Sequence, residues 1–167
     1  GILGKIAPDV VVGFGGYPSF SGPLINSVEE FDHTNNTFSE VSADLIPSIP
    51  GWSCYASMNN RPASDYLMTN GRYAFLVYRS DPQLEYRIMT FDPETKLFEL
   101  VETSSPLLDE VLDGGIYDAV LDRDNNRMYM LGLRLNTLPI EVGLIGVDLN
   151  NGNTQHAATT YVMPADE

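Results

Sequence analysis

Nine Lys and Arg against 23 Asp and Glu in 167 residues leave a formal charge of −14, which excludes nucleic acid as the natural partner because phosphate binding needs basic residues to displace counterions. With 43% hydrophobic and 10% aromatic residues the chain is globular and not disordered, of one-domain length, and able to bury roughly two-thirds of its unfolded surface. No apolar run nears the roughly 18 residues of a membrane-spanning helix, and the start at Gly1, with neither an initiating Met nor a basic-then-apolar leader, reads as a processed product, an excised domain or a tag remnant.

Short β-branched and aromatic runs bounded by Gly, Pro, Asn and Asp follow one another with almost no helical periodicity, so the chain reads as all-β. In order, strands are expected at Asp9–Gly15, Ser27–Phe31, Thr37–Val41, Ser53–Met58, Asp65–Met68 and Arg72–Arg79. They continue at Leu84–Phe91, Lys96–Val101, Ile116–Leu121, Arg127–Leu133, Glu141–Val147 and Thr154–Thr160. Thr69-Asn70-Gly71-Arg72 supplies a tight hairpin through a positive-φ dipeptide, and Asp122-Arg123-Asp124-Asn125-Asn126 is a polar connector. One short helix is expected over Ser105–Asp113, capped by Ser105, opened by Pro106 and stopped by Gly114.

Three segments align without gaps, Ser27–Val41, Arg87–Val101 and Gly143–Ala157. Each is a strand ending in an apolar residue and Asp (Asp32, Asp92, Asp148), then a polar turn and a return strand. The recurrent Asp has a structural reason, since its carboxylate can accept backbone N–H bonds inside the turn. In the first repeat Val10–Phe14 runs into Gly15-Gly16 and Tyr17, followed by a long loop, Phe31-Asp32 and the aromatic Phe38. In these residues the chain resembles the kelch-type β-propellers, whose blades are four-stranded antiparallel sheets around a central axis. A kelch blade usually carries Tyr at Phe31 and Trp at Phe38, and the double glycine is replaced by Tyr78-Arg79 and by Gly132-Leu133 in the later repeats. The resemblance implies antiparallel four-stranded blade-like repeats at about 9–48, 52–103 and 115–162. Three blades are too few for an ordinary ring. Either two copies close a six-bladed ring, or the chain is part of a longer propeller, or its strands form a β-sandwich or barrel.

Cys54 is the only cysteine, which excludes an intramolecular disulfide and multi-cysteine metal sites; it reads as a packed small hydrophobe. His33 and His156 lack a partner at metal-ligand spacing and read as solvent-facing or loosely packed. The kelch family includes copper-radical oxidases with a Cys–Tyr cross-link, but Cys54 and Tyr55 are adjacent and so point to opposite faces of a strand. The stretch from Asp122 has the look of a calcium loop, yet Arg127 stands where Gly is needed and Leu133 where Glu is needed. Neither a Gly-x-Ser-x-Gly elbow nor a phosphate-binding Gly-x-x-x-x-Gly-Lys is present.

The expected function is therefore non-enzymatic, with no cofactor and no metal. On the propeller reading, the second-to-third-strand loops and the blade-to-blade loops emerge together, flanked by Tyr17, Phe20, Trp52, Arg79, Tyr86 and Arg134. Aromatics and Arg are the residue types that anchor protein interfaces or stack on sugars, so a protein or glycan partner is expected; the competing reading has Trp52 and Tyr86 filling the core between blades. The second functional reading is a structural protein that docks or polymerises through open sheet edges, by self-association or with a propeller-completing chain. Asn35-Asn36-Thr37 is a glycosylation sequon at Asn35, and two lysines amid many Asn, Thr, Ser and Tyr give an extracellular style of surface.

Overall fold

The computed structural model describes residues 2–7, 10–16, 25–42, 51–54, 63–79, 83–105, 115–134 and 139–160. Twelve strands lie among them: β1 (Ile2–Ala7), β2 (Val10–Gly16), β3 (Ile25–Asp32), β4 (Thr37–Ser42), β5 (Ser53–Cys54), β6 (Tyr73–Arg79), β7 (Glu85–Asp92), β8 (Leu97–Val101), β9 (Ile116–Asp122), β10 (Arg127–Arg134), β11 (Glu141–Asp148) and β12 (Thr154–Thr160). They form three open antiparallel sheets of four strands, β1-β2-β3-β4, β5-β6-β7-β8 and β9-β10-β11-β12, each a meander in which chain neighbours pair. The all-β antiparallel expectation holds. By compactness the chain divides into two units, Gly1–Val101 with the first two sheets and Glu102–Glu167 with the third.

Two expected elements differ. Asp65–Met68 is not a strand: Ala63–Tyr66 is one turn of 3-10 helix, and only Leu67 pairs, with Tyr73. The buried Tyr66 and Met68 alternate with more exposed neighbours and so imitate a strand. The Met68–Arg72 turn then leaves room for a single bridge. In that turn the Met68 N–H donates to the Arg72 carbonyl (2.8 Å) and the Gly71 N–H to the Met68 carbonyl (3.1 Å). Gly71 carries the positive φ, 82°, so the loop is a three-residue type with one left-handed residue and not a two-residue positive-φ turn. The second difference is β1, unforeseen in the sequence, which completes the first sheet on β2 with Ile2 opposite Phe14. The expected helix beyond its cap Ser105, that is residues 106–113, and residues 55–58 of the fourth expected strand lie outside the described residues.

The Asp turns are the repeated joints of the fold. Asp32 Oδ1 accepts the N–H groups of Thr34 (2.8 Å) and Asn35 (3.2 Å), and Asp92 Oδ1 those of Glu94 (2.9 Å) and Thr95 (3.2 Å). Asp148 Oδ1 accepts Asn150 N–H (2.9 Å). The four-residue loop then closes through a left-handed residue at the aligned position: Asn36 (φ 52°), Lys96 (59°) and Gly152 (73°). A fourth copy joins β9 to β10, where Asp122 accepts Asn125 N–H (3.3 Å) and Asn126 has φ 49°. The same Asp-plus-left-handed device thus closes the β3–β4, β7–β8, β9–β10 and β11–β12 hairpins. The first two also share an aromatic pair across the hairpin: Phe31–Phe38 rings lie 4.5 Å apart at 34°, and Phe91–Phe98 rings 4.8 Å apart at 36°.

Burial separates the sheets. In the second sheet both faces are covered: Tyr73, Phe75, Val77, Met89 and Phe91 on one, Ala74, Leu76, Ile88 and Thr90 on the other. Each large apolar side chain so buried contributes roughly 1.5–3 kcal/mol. In the first sheet Val28 is buried, and Glu30, on the same face of β3, pairs with Lys96 of the second sheet. In the third sheet Met128, Met130, Ile145 and Val147 make a buried face.

Candidate functional site

The expected binding residues occupy one kind of place. In a four-stranded meander the second-to-third-strand loop lies at the end opposite the Asp turns. Tyr17 and Phe20 fall in the β2–β3 connection, which is outside the described residues; Trp52 precedes β5, Arg79 ends β6, Tyr86 is the second residue of β7 and Arg134 ends β10. The structure brings three of these, Trp52, Arg79 and Tyr86, to one end of the second sheet.

There the register sets Arg79 opposite Glu85, Tyr78 opposite Tyr86 and Val77 opposite Arg87. Alternation puts Arg79, Glu85 and Arg87 on one face of the sheet and the two tyrosines on the other. Glu85 is the hub. Its Oε2 accepts Arg79 Nε (2.9 Å) and Nη2 (2.6 Å), and its Oε1 accepts Arg87 Nε (2.7 Å). Arg87 Nη2 also lies 2.7 Å from Oε1. The Arg79 guanidinium stands 5.0 Å over the Trp52 ring, a cation–π contact that completes its fixation. Burial alone would raise the Glu85 carboxyl, but hydrogen bonds from Arg87 and Arg79, with their charges, outweigh it and hold the group below the usual carboxylate range. Glu85 is thus held as a carboxylate and is no proton donor near neutral pH.

Trp52 is 1% exposed and Tyr86 6%, so their rings are packed, with Tyr86 6.2 Å from Tyr78 by ring centroid. The Trp52 Nε1–H is buried without a hydrogen-bond partner among the described residues. What reaches solvent is the charged cluster, with the Arg79 side chain 29% exposed, Arg87 36% and Glu85 21%. In the β10–β11 register Arg134 sits opposite Glu141, as Arg79 sits opposite Glu85 in β6–β7. Sequence reading missed Glu85 and Arg87. Their spacing of two was a usable signal, because on a strand it sets both side chains on one face.

The other singled-out residues lie at the turn end or in the second unit. Asn35 is exposed in its Asp turn, with Nδ2 donating to Asp32 Oδ2 (2.7 Å). His33 is exposed and edge-on to Phe31, with ring centroids 4.5 Å apart. His156 Nε2 lies 3.2 Å from Ser105 Oγ. Among the described residues no three His, Cys, Asp or Glu side chains converge on a point that could hold a metal ion, and no helix is long and apolar enough to cross a membrane. Compared with known proteins, the chain matches no family model and no curated sequence.

Proposed function

We propose that the chain is a non-enzymatic, propeller-like interaction module that holds a protein or glycan partner at the loop ends of its sheets. The observation that carries this reading is the strand-end ion pair of Arg79 with Glu85, with Arg134 and Glu141 set opposite one another at the corresponding place in the β10–β11 register. A chain of charge −14 has nine cationic residues, and it places Arg79 and Arg134 at such strand ends and Arg87 two residues from Glu85 on the same face. A guanidinium fixed on one side by a carboxylate and a ring is already ordered, so it loses little entropy when its remaining N–H groups meet an acceptor. Carbonyls of a peptide, or carboxylate or sulfate groups of an acidic glycan, have that chemistry.

Three successive four-stranded meanders with a shared turn support the blade reading, as does Gly15-Gly16 closing β2 where the register shifts. The kelch assignment and closure into a ring, whether by a second copy or by further blades, belong to the same proposal. An extracellular setting would make Asn35 a glycan acceptor. The second reading, assembly through open edges, is favoured by the outer strands of the open sheets, each of which pairs with a single strand among the described residues.

The test is binding of the labelled chain to arrays of acidic glycans and of peptides, beside the double variant Arg79→Ala/Arg134→Ala. Loss of at least tenfold in affinity at unchanged circular dichroism supports the reading. Binding indifferent to both arginines, or none on either array, overturns it.

A further inference from the structure

We propose that the open face of the third sheet is a self-association surface on which a second copy of the chain seats the same face about a twofold axis. This inference stands apart from the loop-end reading and uses none of its residues.

The repeat itself shows that the face is unusual. In the ungapped alignment Leu144 corresponds to Val28 and Ile88, which are 0% exposed, yet Leu144 is 41% exposed. Through the β6–β7 and β10–β11 registers Leu131 takes the place of Leu76. Leu131 is 43% exposed where Leu76 is 0%. Val120, opposite Tyr129, is open as well at 47%. Leu133 and Val142 lie on the same face by alternation and are half-buried. Between Val120, Tyr129, Leu131 and Leu144 the surface dips into a shallow apolar depression, of a size to take a side chain from an apposed sheet.

The occupant follows from charge. Asp118 is the one ionisable carboxylate lining the depression, whereas the chain as a whole carries −14. Asp122 and Asp148 share this face but stand at its turn end, opposite Arg127, so for two copies that repel through their net charge the apolar stretch around Leu131 and Leu144 is the part of the face where close approach costs least. Within the first sheet, the side away from Val28 pairs Glu29 with Glu40 across β3 and β4. A head-to-tail contact between that side and the open face would bury carboxylates against leucines. Like against like buries apolar surface on both sides. With the twofold axis along the strands, β9 of one copy crosses over β12 of the other, which holds the two Asp118 carboxylates apart.

Size sets the strength. Four strands about 4.8 Å apart and about 25 Å long give a face of roughly 480 Å² per copy, or about 960 Å² for the pair. That lies near the ~1,000 Å² at which specific interfaces begin, so the pair is a weak, reversible dimer.

The test is sedimentation or light scattering of the intact chain from about 2 to 300 µM, the span in which so small an interface titrates. The expected mass rises from 18.4 kDa towards twice that value. Leu131→Lys and Val120→Lys, made separately, are expected to remain at 18.4 kDa with the wild-type sheet spectrum. A monomer throughout the range overturns the proposal and leaves the face to a different sheet. A dimer untouched by both lysines overturns it too, by placing the contact elsewhere. Should a lysine variant lose its sheet spectrum, Leu144→Thr replaces it at an already open strand position. Dissociation at least tenfold tighter in the wild type then supports the proposal, and equal dissociation overturns it. Arg79→Ala is expected to dimerise normally, so failure here and failure of the loop-end reading are told apart.

Discussion

At the scale of single residues, two glycines with the same left-handed backbone separate strain from crowding. Gly71 has φ 82° with nothing within 4 Å of where a Cβ would stand. Gly152 has φ 73°, and its Cβ would fall 1.8 Å from the Glu102 carbonyl oxygen, because the chain is strapped across it by Ser104 N–H donating to the Gly152 carbonyl (2.9 Å). Gly71→Ala is expected to cost about 1 kcal/mol, the left-handed penalty of an L residue. Gly152→Ala adds a backbone clash that a rotamer cannot relieve, so about 3 kcal/mol or more is expected. Urea denaturation of the two variants checks the ordering; equal losses would mean that the strap moves aside freely. Two phenylalanines of the repeated hairpins, on the inner strand of one and the outer strand of the other, make a similar contrast. Phe91 is fully buried while Phe38 is 76% exposed, so Phe91→Ala should cost about 3–5 kcal/mol. Phe38→Ala should cost no more than about 1 kcal/mol, mostly the ring contact with Phe31. Their denaturation midpoints measure both.

At the scale of elements, the Asp turn titrates. The Asn35 side chain and then its N–H hold the Asp32 carboxyl below the usual range, and the N–H groups of Thr95 and Glu94 do the same for Asp92. A folded-state pKa below the unfolded value of about 3.9 means that the stabilisation is fully present above that pH. It is lost as the pH falls through the folded value. Asp32→Asn/Asp92→Asn should therefore lower the melting temperature slightly at pH 7 and flatten its fall between about pH 4 and 2; an unchanged acid slope would mean that other carboxylates govern acid unfolding. These turns were legible in the sequence because the bonds to the Asp carboxylates span three residues or fewer and the backbone bonds that close the loops only four or five. β1 was not: Gly4 and Lys5 interrupt its apolar run, and its partner strand alone makes it a strand. Asp65–Met68 misled because burial of Tyr66 and Met68 alternates within a 3-10 turn. At the candidate site Arg79 could be picked out as an arginine at a strand end, but its pairing with Glu85 depends on the hairpin register. The packing of Trp52 depends on what lies across the sheet.

At the scale of the whole molecule the dominant quantity is charge, and it opposes folding. The ion pairs described, such as Arg79–Glu85 and Arg72–Glu99, are local and partly exposed, each worth about 0–1 kcal/mol. Against them stand 23 acidic residues with nine basic ones, and compaction brings that unbalanced negative charge closer together. Salt screens both effects, with a Debye length of about 30 Å at 0.01 M and about 8 Å at 0.15 M. If self-repulsion is the larger, raising NaCl across that range at pH 7 stabilises the fold, and the urea midpoint moves up. If the Glu85 and Glu99 pairs dominate, it moves down. The excess of 23 over nine decides for the first outcome. The reading belongs at a protein concentration where light scattering gives the monomer, because screening would also strengthen contact between two copies. Arg79→Ala supplies the internal check: deleting a local cation should steepen the rise with salt, since it removes an attraction that salt weakens and leaves the repulsion that salt relieves.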